Sequence, residues 1–269
     1  MKSFLSAILL AVVGLAQANP PAALAQAIPT DQENTRKARG LLDQAIQALG
    51  GPAYLGIVDI SQEGRTYSFY HGEPSGYGIQ FWRFYKLPDK ERIELTKKRD
   101  VAYVINGDQG YEITYKGTRA DEPKDVTDAL RRRHVALDWI LRHWLNEPGV
   151  ALFYNGPSVA ADKPAEQVTI LNSSNQGVTI DIDINTHLPL KKSFSWRDPT
   201  DKQRNVEDEV YDNYRPVQGI MTPFSVTRFY NGDMSNQRFL TSVSYNQGLS
   251  DSKFAAQITY GAKPPAPTQ

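Results

Sequence analysis

The stretch FWRFYKLPDKERIELTKKRDVAYVINGDQGYEITYKG, residues 81–117, decides the fold. It is rich in aromatics, alternates apolar with polar residues, and turns at Pro88-Asp89, Asn106-Gly107 and Gly110. A period of two residues marks strands with one buried face, and the turn residues are those of tight connections. The alternation predicts strands near Tyr77–Lys86, Glu91–Thr96, Val101–Asn106 and Gly110–Lys116. The stretch holds no cysteine, histidine or obvious nucleophile, so it offers a surface rather than a reaction.

The same pattern continues outward. Further strands are expected near Ile57–Tyr70, Val150–Tyr154, Gln167–Asn172, Val178–Ile184, Leu188–Arg197, Asn205–Tyr214, Ile220–Tyr230 and Gln237–Tyr245. The connections are short and rich in Gly, Asn, Asp and Pro, which implies antiparallel neighbours rather than parallel crossovers. Val178, Ile180, Ile182 and Ile184 fall on one side of their strand, with Thr179, Asp181 and Asp183 on the other. Tyr111, Ile113 and Tyr115 oppose Glu112, Thr114 and Lys116. Leu188, Leu190, Phe194 and Trp196 oppose Lys191, Ser193 and Ser195, and Lys192 breaks the pattern. The fold class is therefore mainly β (α+β), an antiparallel sheet of about 11–12 strands with one dry face.

Two segments have helical spacing. Leu41, Leu42, Ala45, Ile46 and Leu49 predict a helix after a flexible polar stretch, Ile28 to Thr35, with a stop at Gly50-Gly51. A long helix is expected over Lys124–Leu145, ended by Pro148-Gly149. Val126, Leu130, Leu137, Leu141 and Trp144 form its apolar face, and Arg131, Arg132, Asp138 and Arg142 its wet side. Covering the dry face of a curved sheet is the economical use of both helices.

The N-terminus reads as a secretory signal. Lys2 precedes an apolar run from Phe4 to Ala16, and small-x-small sites follow at Ala16-Gln17-Ala18 and Ala25-Gln26-Ala27. The organisation expected is a cleaved signal over 1–27, a single domain over 28–260, and a disordered Pro-rich tail over 261–269. Cleavage would release the chain into a periplasm or the exterior. The absence of cysteine excludes disulfides, thiol catalysis and a lipidated N-terminal cysteine. Thirty basic residues balance thirty acidic ones, which gives no footprint for nucleic acid.

In this order, the opening stretch resembles the bacterial periplasmic carriers that sort outer-membrane lipoproteins. Those carriers also place an aromatic strand ending in a basic residue and proline here, then an Asp/Asn-Gly turn and an aromatic strand. LSDSKF (Leu249 to Phe254) resembles the segment that closes their domain. YDNYRPVQGIMTPFSVTRFYNG (Tyr211 to Gly232) is similar to a phrase in related envelope proteins. The resemblance implies an open, strongly curved half-barrel lidded by helices, with a cavity that takes lipid or lipoprotein acyl chains, and transient membrane contact. The carriers place an arginine before the proline, where it helps hold the lid shut; here Leu87 precedes Pro88.

On this reading the candidate ligand-binding residues are Phe81, Tyr103, Tyr111, Ile113, Tyr115, Leu137, Leu141, Trp144, Ile180, Ile182, Phe194, Trp196 and Phe224. The competing reading of the same residues is ordinary core. A filled core would make the protein a binding module for an envelope protein partner, and converging polar groups at the mouth would suggest an enzyme.

The chemistry-bearing residues give weaker signals. His134 and Asp138 can meet across one helical turn, but a metal needs further ligands. Glu207 and Glu209 share a strand face about 6.6 Å apart, a spacing that any x-E-x-E strand produces. RRRH (Arg131 to His134) spreads its arginines over about 200° of helix rather than one patch. Common hydrolase and nucleotide-binding motifs are absent. The expectation is a binding protein without enzymatic activity, cofactor or metal.

Overall fold

The structure is a computed structural model that describes residues 31–198 and 200–260. The expected signal segment and Pro-rich tail lie outside the described residues.

The opening stretch forms β3 (Ile79–Lys86), β4 (Lys90–Leu95), β5 (Val101–Asn106) and β6 (Gln109–Thr114), each hydrogen-bonded antiparallel to the next. Around it lie β1 (Asp59–Tyr70), the two-residue β2 (Glu73–Pro74) and β7 (Gly117–Ala120). The second half supplies β8 (Ala151–Ala160), β9 (Lys163–Leu171), β10 (Gly177–Asp183), β11 (Pro189–Arg197), β12 (Arg204–Val217), β13 (Ile220–Tyr230) and β14 (Asp233–Tyr245). All fourteen belong to one antiparallel sheet, in the order β7-β6-β5-β4-β3-β1-β14-β13-β12-β11-β10-β9-β8, with β2 beside β1. The path never closes. β1 pairs with β14, and this long-range contact joins the two halves of the chain. The alternation underlying the expected strands did not reveal β2 and β7, which are too short to show a period.

The helices pack on one face of the sheet. In α1 (Asp31–Leu49), Ala38, Leu42, Ala45, Ile46 and Leu49 are buried. This helix starts within the segment expected to be flexible. Asp31 and Glu33 suit its first turn, and Asn34 both donates to and accepts from the Tyr154 backbone at 2.8 Å. A short α2 (Pro52–Leu55) leads into β1.

The expected long helix is broken. α3 (Pro123–His134) ends at Val135, Ala136 is extended, and α4 (Leu137–Arg142) follows, then a 3-10 turn at Trp144–Asn146. No glycine or proline stands at the break, so its cause is tertiary: buried Lys192 of β11 donates to the freed Val135 carbonyl at 2.9 Å. One apolar core joins α1, Ile140, Leu141 and Trp144 of the lid, and Val168, Ile170, Val178, Ile180, Ile182 and Phe194 of the sheet. Apolar burial at roughly 25 cal/mol per Å2 supplies the main stabilisation.

The opposite face of β3–β7 is covered by the segment after β14. Asp59 accepts hydrogen bonds from the backbone N–H groups of Gln247, Gly248 and Leu249 at 2.7, 2.8 and 3.1 Å. A 3-10 turn at Asp251–Phe254 then buries Phe254 completely against β4 and β5. Thr259 closes on Thr118 of β7. No helix of the described residues is long and apolar enough to cross a membrane.

Candidate functional site

Between the helices and the sheet lies a cavity of about 410 Å3. Its apolar lining includes Leu49, Ile57, Ile60, Ile93, Leu137 and Leu240. The register shows how neighbouring strands build it. Gln62 stands opposite Arg83, and Arg83 opposite Ile93, so all three share the concave face. Tyr85, Tyr211, Tyr214 and Tyr245 add aromatic walls, and buried Thr222 shares a 2.8 Å hydrogen bond with the Tyr245 hydroxyl.

The lining is not purely apolar. Arg83, Glu91, Glu209, Arg228 and Arg238 reach it from the sheet, and Arg132, Arg133, Asp138 and Arg142 from the lid. Arg132, Asp138 and Arg142, expected on the wet side of the lid helix, therefore face inward. The break at Val135–Ala136 resets the helical phase between α3 and α4, so one helical wheel does not describe both.

These charges are held by specific contacts. Arg83 pairs with Glu91 at 2.5 Å. Glu209 takes Lys192 at 2.9 Å and Arg228 at 3.1 Å. Burial alone would raise its carboxyl, but the Lys192 and Arg228 charges outweigh that and hold it well below the usual range. Glu207 lies 3.6 Å from Arg228. The two carboxylates of the x-E-x-E strand are thus both ion-paired. Burial pushes the Tyr54 and Tyr211 phenols up, so both are neutral at physiological pH.

The arginines of the RRRH stretch do three different things. Arg131 pairs with Asp128 at 2.7 Å and lies 3.8 Å from the Trp196 ring. Arg132 lines the cavity. Arg133 donates to the carbonyls of Asp89 and Gly107, both at 2.9 Å, and ties the lid to two sheet turns. Leu87 occupies the position of the carriers' arginine and packs against the core. The Arg133 bond to Asp89 falls just beyond Pro88. His134 lies against the Trp139 and Trp144 rings, 6.0 and 5.7 Å between centroids. Among the described residues no group of His, Asp and Glu has the arrangement of a metal site.

Of the residues singled out from sequence, Leu137 lines the cavity. Phe81, Leu141, Trp144, Ile180, Ile182, Phe194 and Phe224 are buried in the core beside it, and Trp196 packs against that core. Tyr103 stands opposite Ile93 on the concave face but is 37% exposed. Tyr111, Ile113 and Tyr115 are not brought to the cavity. Gly110, on the other parity of β6, is the residue that faces the lid, close to Val126. Tyr111 and Ile113 therefore share the convex face with Val104 and Thr118, and Tyr115 is 88% exposed beyond the end of β6. The charged lining was missed because alternation treats every polar residue as outward. Lys192 alone, by breaking the alternation, marked the polar interior.

With this geometry in hand, solved structures give the decisive comparison. A LolA superfamily protein from Nitrosomonas europaea superposes with a TM-score of 0.51 at 14% identity, covering 81% of this chain and 97% of that one. The chain shares the fold of that structure, an open antiparallel sheet with helices packed on one face. A putative outer membrane lipoprotein-sorting protein domain from Vibrio parahaemolyticus matches it at 0.52 and 10% identity, covering 82% and 97% of the two chains. A DUF1329 family protein from Desulfovibrio piger matches at 0.57 and 11% identity, covering 81% and 97%. No family model and no curated protein matches the sequence. What the chain shares with these structures is the fold.

Proposed function

We propose that this chain is an exported envelope protein that binds an acyl chain, or a ligand of similar apolar length, between its sheet and its lid. The observation that carries this reading is the cavity of about 410 Å3, which the side chains of sheet and lid leave unfilled. Ligand pockets commonly measure roughly 300–1,000 Å3, and burial of hydrocarbon there is driven by the hydrophobic effect. The lipoprotein-sorting name of one structural neighbour supports an envelope role, and the signal-like residues 1–27 support export to a periplasm. The ion-paired state of Glu207 and Glu209 favours binding over acid–base catalysis, since both carboxylates are engaged by Lys192 and Arg228. Ligand exchange would require the lid, α3 and α4, to lift.

Native mass spectrometry of the protein purified from a bacterial periplasm, with lipid extraction of the same sample, tests the proposal. A bound mass that releases fatty-acyl species is expected. A clean apo mass that gains nothing on addition of lipids would end the carrier reading.

A further inference from the structure

Six arginines line the cavity, Arg83, Arg132, Arg133, Arg142, Arg228 and Arg238, against three carboxylates, Glu91, Asp138 and Glu209. Their positive charge is unevenly answered. Arg133 and Arg142 donate to backbone carbonyls, those of Asp89 and Gly107 and those of Leu55 and Ile57. Arg83 and Arg228 have glutamate partners. Arg132 and Arg238 have no side-chain hydrogen bond or ion pair among the described residues. The Nε atoms of Arg228 and Arg238 are shut off from solvent and make no hydrogen bond, although Arg228 Nε lies 3.6 Å from Glu207, and Gln62 Oε1 in the same lining is also unsatisfied.

The arginines also crowd one another. Burial lowers Arg238 to about 10, and the charges of Arg83 and Arg228 add to the effect. Burial likewise lowers Arg132, and the Arg228 charge adds to this, opposed by the carboxylates of Glu207 and Asp128. Residues 228 and 238 stand on adjacent strands, since Val226 pairs with Arg238 and Arg228 follows two residues on. Arg132 lines the same cavity from the lid. Half-buried guanidinium groups lining one cavity, with donors left over, are an incomplete ion cluster, and what completes it is an anion.

We propose that the cavity takes an anionic amphiphile, its carboxylate or phosphate head seated between Arg132 of the lid and Arg228 and Arg238 of the sheet, its hydrocarbon on Ile57, Ile60, Ile93 and Leu137. This rests on the carrier reading and specifies its ligand. The planar guanidinium forks match a two-oxygen acceptor, and such charge-assisted bonds strengthen where water is excluded. Because one partner arginine is on the lid and two are on the sheet, the head also clamps the lid shut, which couples ligand charge to closure.

The test compares three probes on the delipidated full chain by titration calorimetry at pH 8: dodecanoate, its neutral glycerol ester monododecanoin, and inorganic phosphate. Dodecanoate is expected to bind at least about tenfold more tightly than the neutral ester. In the Arg132→Met/Arg238→Met double variant that ratio is expected to fall close to one, and the ratio is the readout. Equal binding of both lipids by the natural protein overturns the anionic head while leaving the carrier reading intact. Binding of neither lipid ends both. Tight phosphate binding without either lipid overturns the amphiphile in favour of a free-anion site. A second measurement covers folding. If Arg238 awaits a ligand, Arg238→Met raises the melting temperature of the apo protein, because a half-buried charge without a hydrogen-bonded partner is removed. A lower melting temperature shows Arg238 to be structural and overturns its place in the site.

Discussion

Lys192 is 2% exposed on the core side of β11, directly opposite Glu209 of β12 and one step from Phe194. Its ammonium is held by Glu209 and by the Val135 carbonyl, each at 2.9 Å. Removing one member of a buried ion pair strands the other, at a cost of about 3–5 kcal/mol. Arg228 and the Tyr211 hydroxyl still serve Glu209, so Lys192→Met should sit at the low end, about 3 kcal/mol, measured as a lowered denaturant midpoint at unchanged slope. Glu209 carries the matching pH dependence. Its folded-state value lies below the ordinary 4.5, so the stabilisation is fully present above 4.5 and is lost as the pH falls through the folded value. The Glu209→Gln variant should therefore show a flatter loss of stability below pH 4.5 than the natural protein; equal acid limbs would count against this pairing. From sequence, Lys192 was visible as a flaw in the alternation. Its partners were not, because Val135 lies 57 residues away and only the fold brings them together.

At the scale of elements, the lid differs most from its sequence pattern. The period of apolar residues over Lys124–Leu145 is real, and propensity places no stop in it. The interruption comes from what the lid rests on, because Lys192 offers the Val135 carbonyl a better partner than the next helical turn would. Arg142 and Arg133 then fasten the two short helices separately, α4 to the carbonyls of Leu55 and Ile57 and α3 to those of Asp89 and Gly107. Hydrogen bonds from a charged donor contribute roughly 1.5–3 kcal/mol. Both Arg133 bonds release together when α3 lifts, so Arg133→Ala should destabilise the closed lid by about 2 kcal/mol. The expected signature is local: faster hydrogen exchange of the α3 amides and faster ligand release, with α1 protection unchanged. Uniformly faster exchange across the sheet would show that Arg133 supports the whole fold rather than the latch.

The whole molecule has two covered faces, and alternation cannot say which of a strand's two sides is concave. The strand pattern over residues 81–117 was legible to within a few residues, yet Tyr111 and Ile113 were assigned to the cavity when they lie on the convex side. The reason is the segment after β14, whose irregular backbone has no period to detect. It crosses the convex face on four attachments: the Asp59 carboxylate, the ion pairs of Lys86 and Lys90 with Asp251 at 2.7 and 3.0 Å, Phe254, and the Thr259 bonds to Thr118. Phe254 is the apolar anchor, fully buried, and Lys253 beside it lies 3.4 Å from the Phe84 ring. Truncating a buried phenylalanine costs about 3–5 kcal/mol, and here it also uncovers Val104 and Ala102, which are otherwise sealed. Phe254→Ala should therefore lower global stability by that amount and raise the binding of an exposed-hydrophobe dye, while the cavity, on the other side of the sheet, keeps its affinity for the proposed ligand. If ligand is lost in proportion to stability, the two faces act as one unit, and the segment after β14 supports the container wall as well as shielding the convex side.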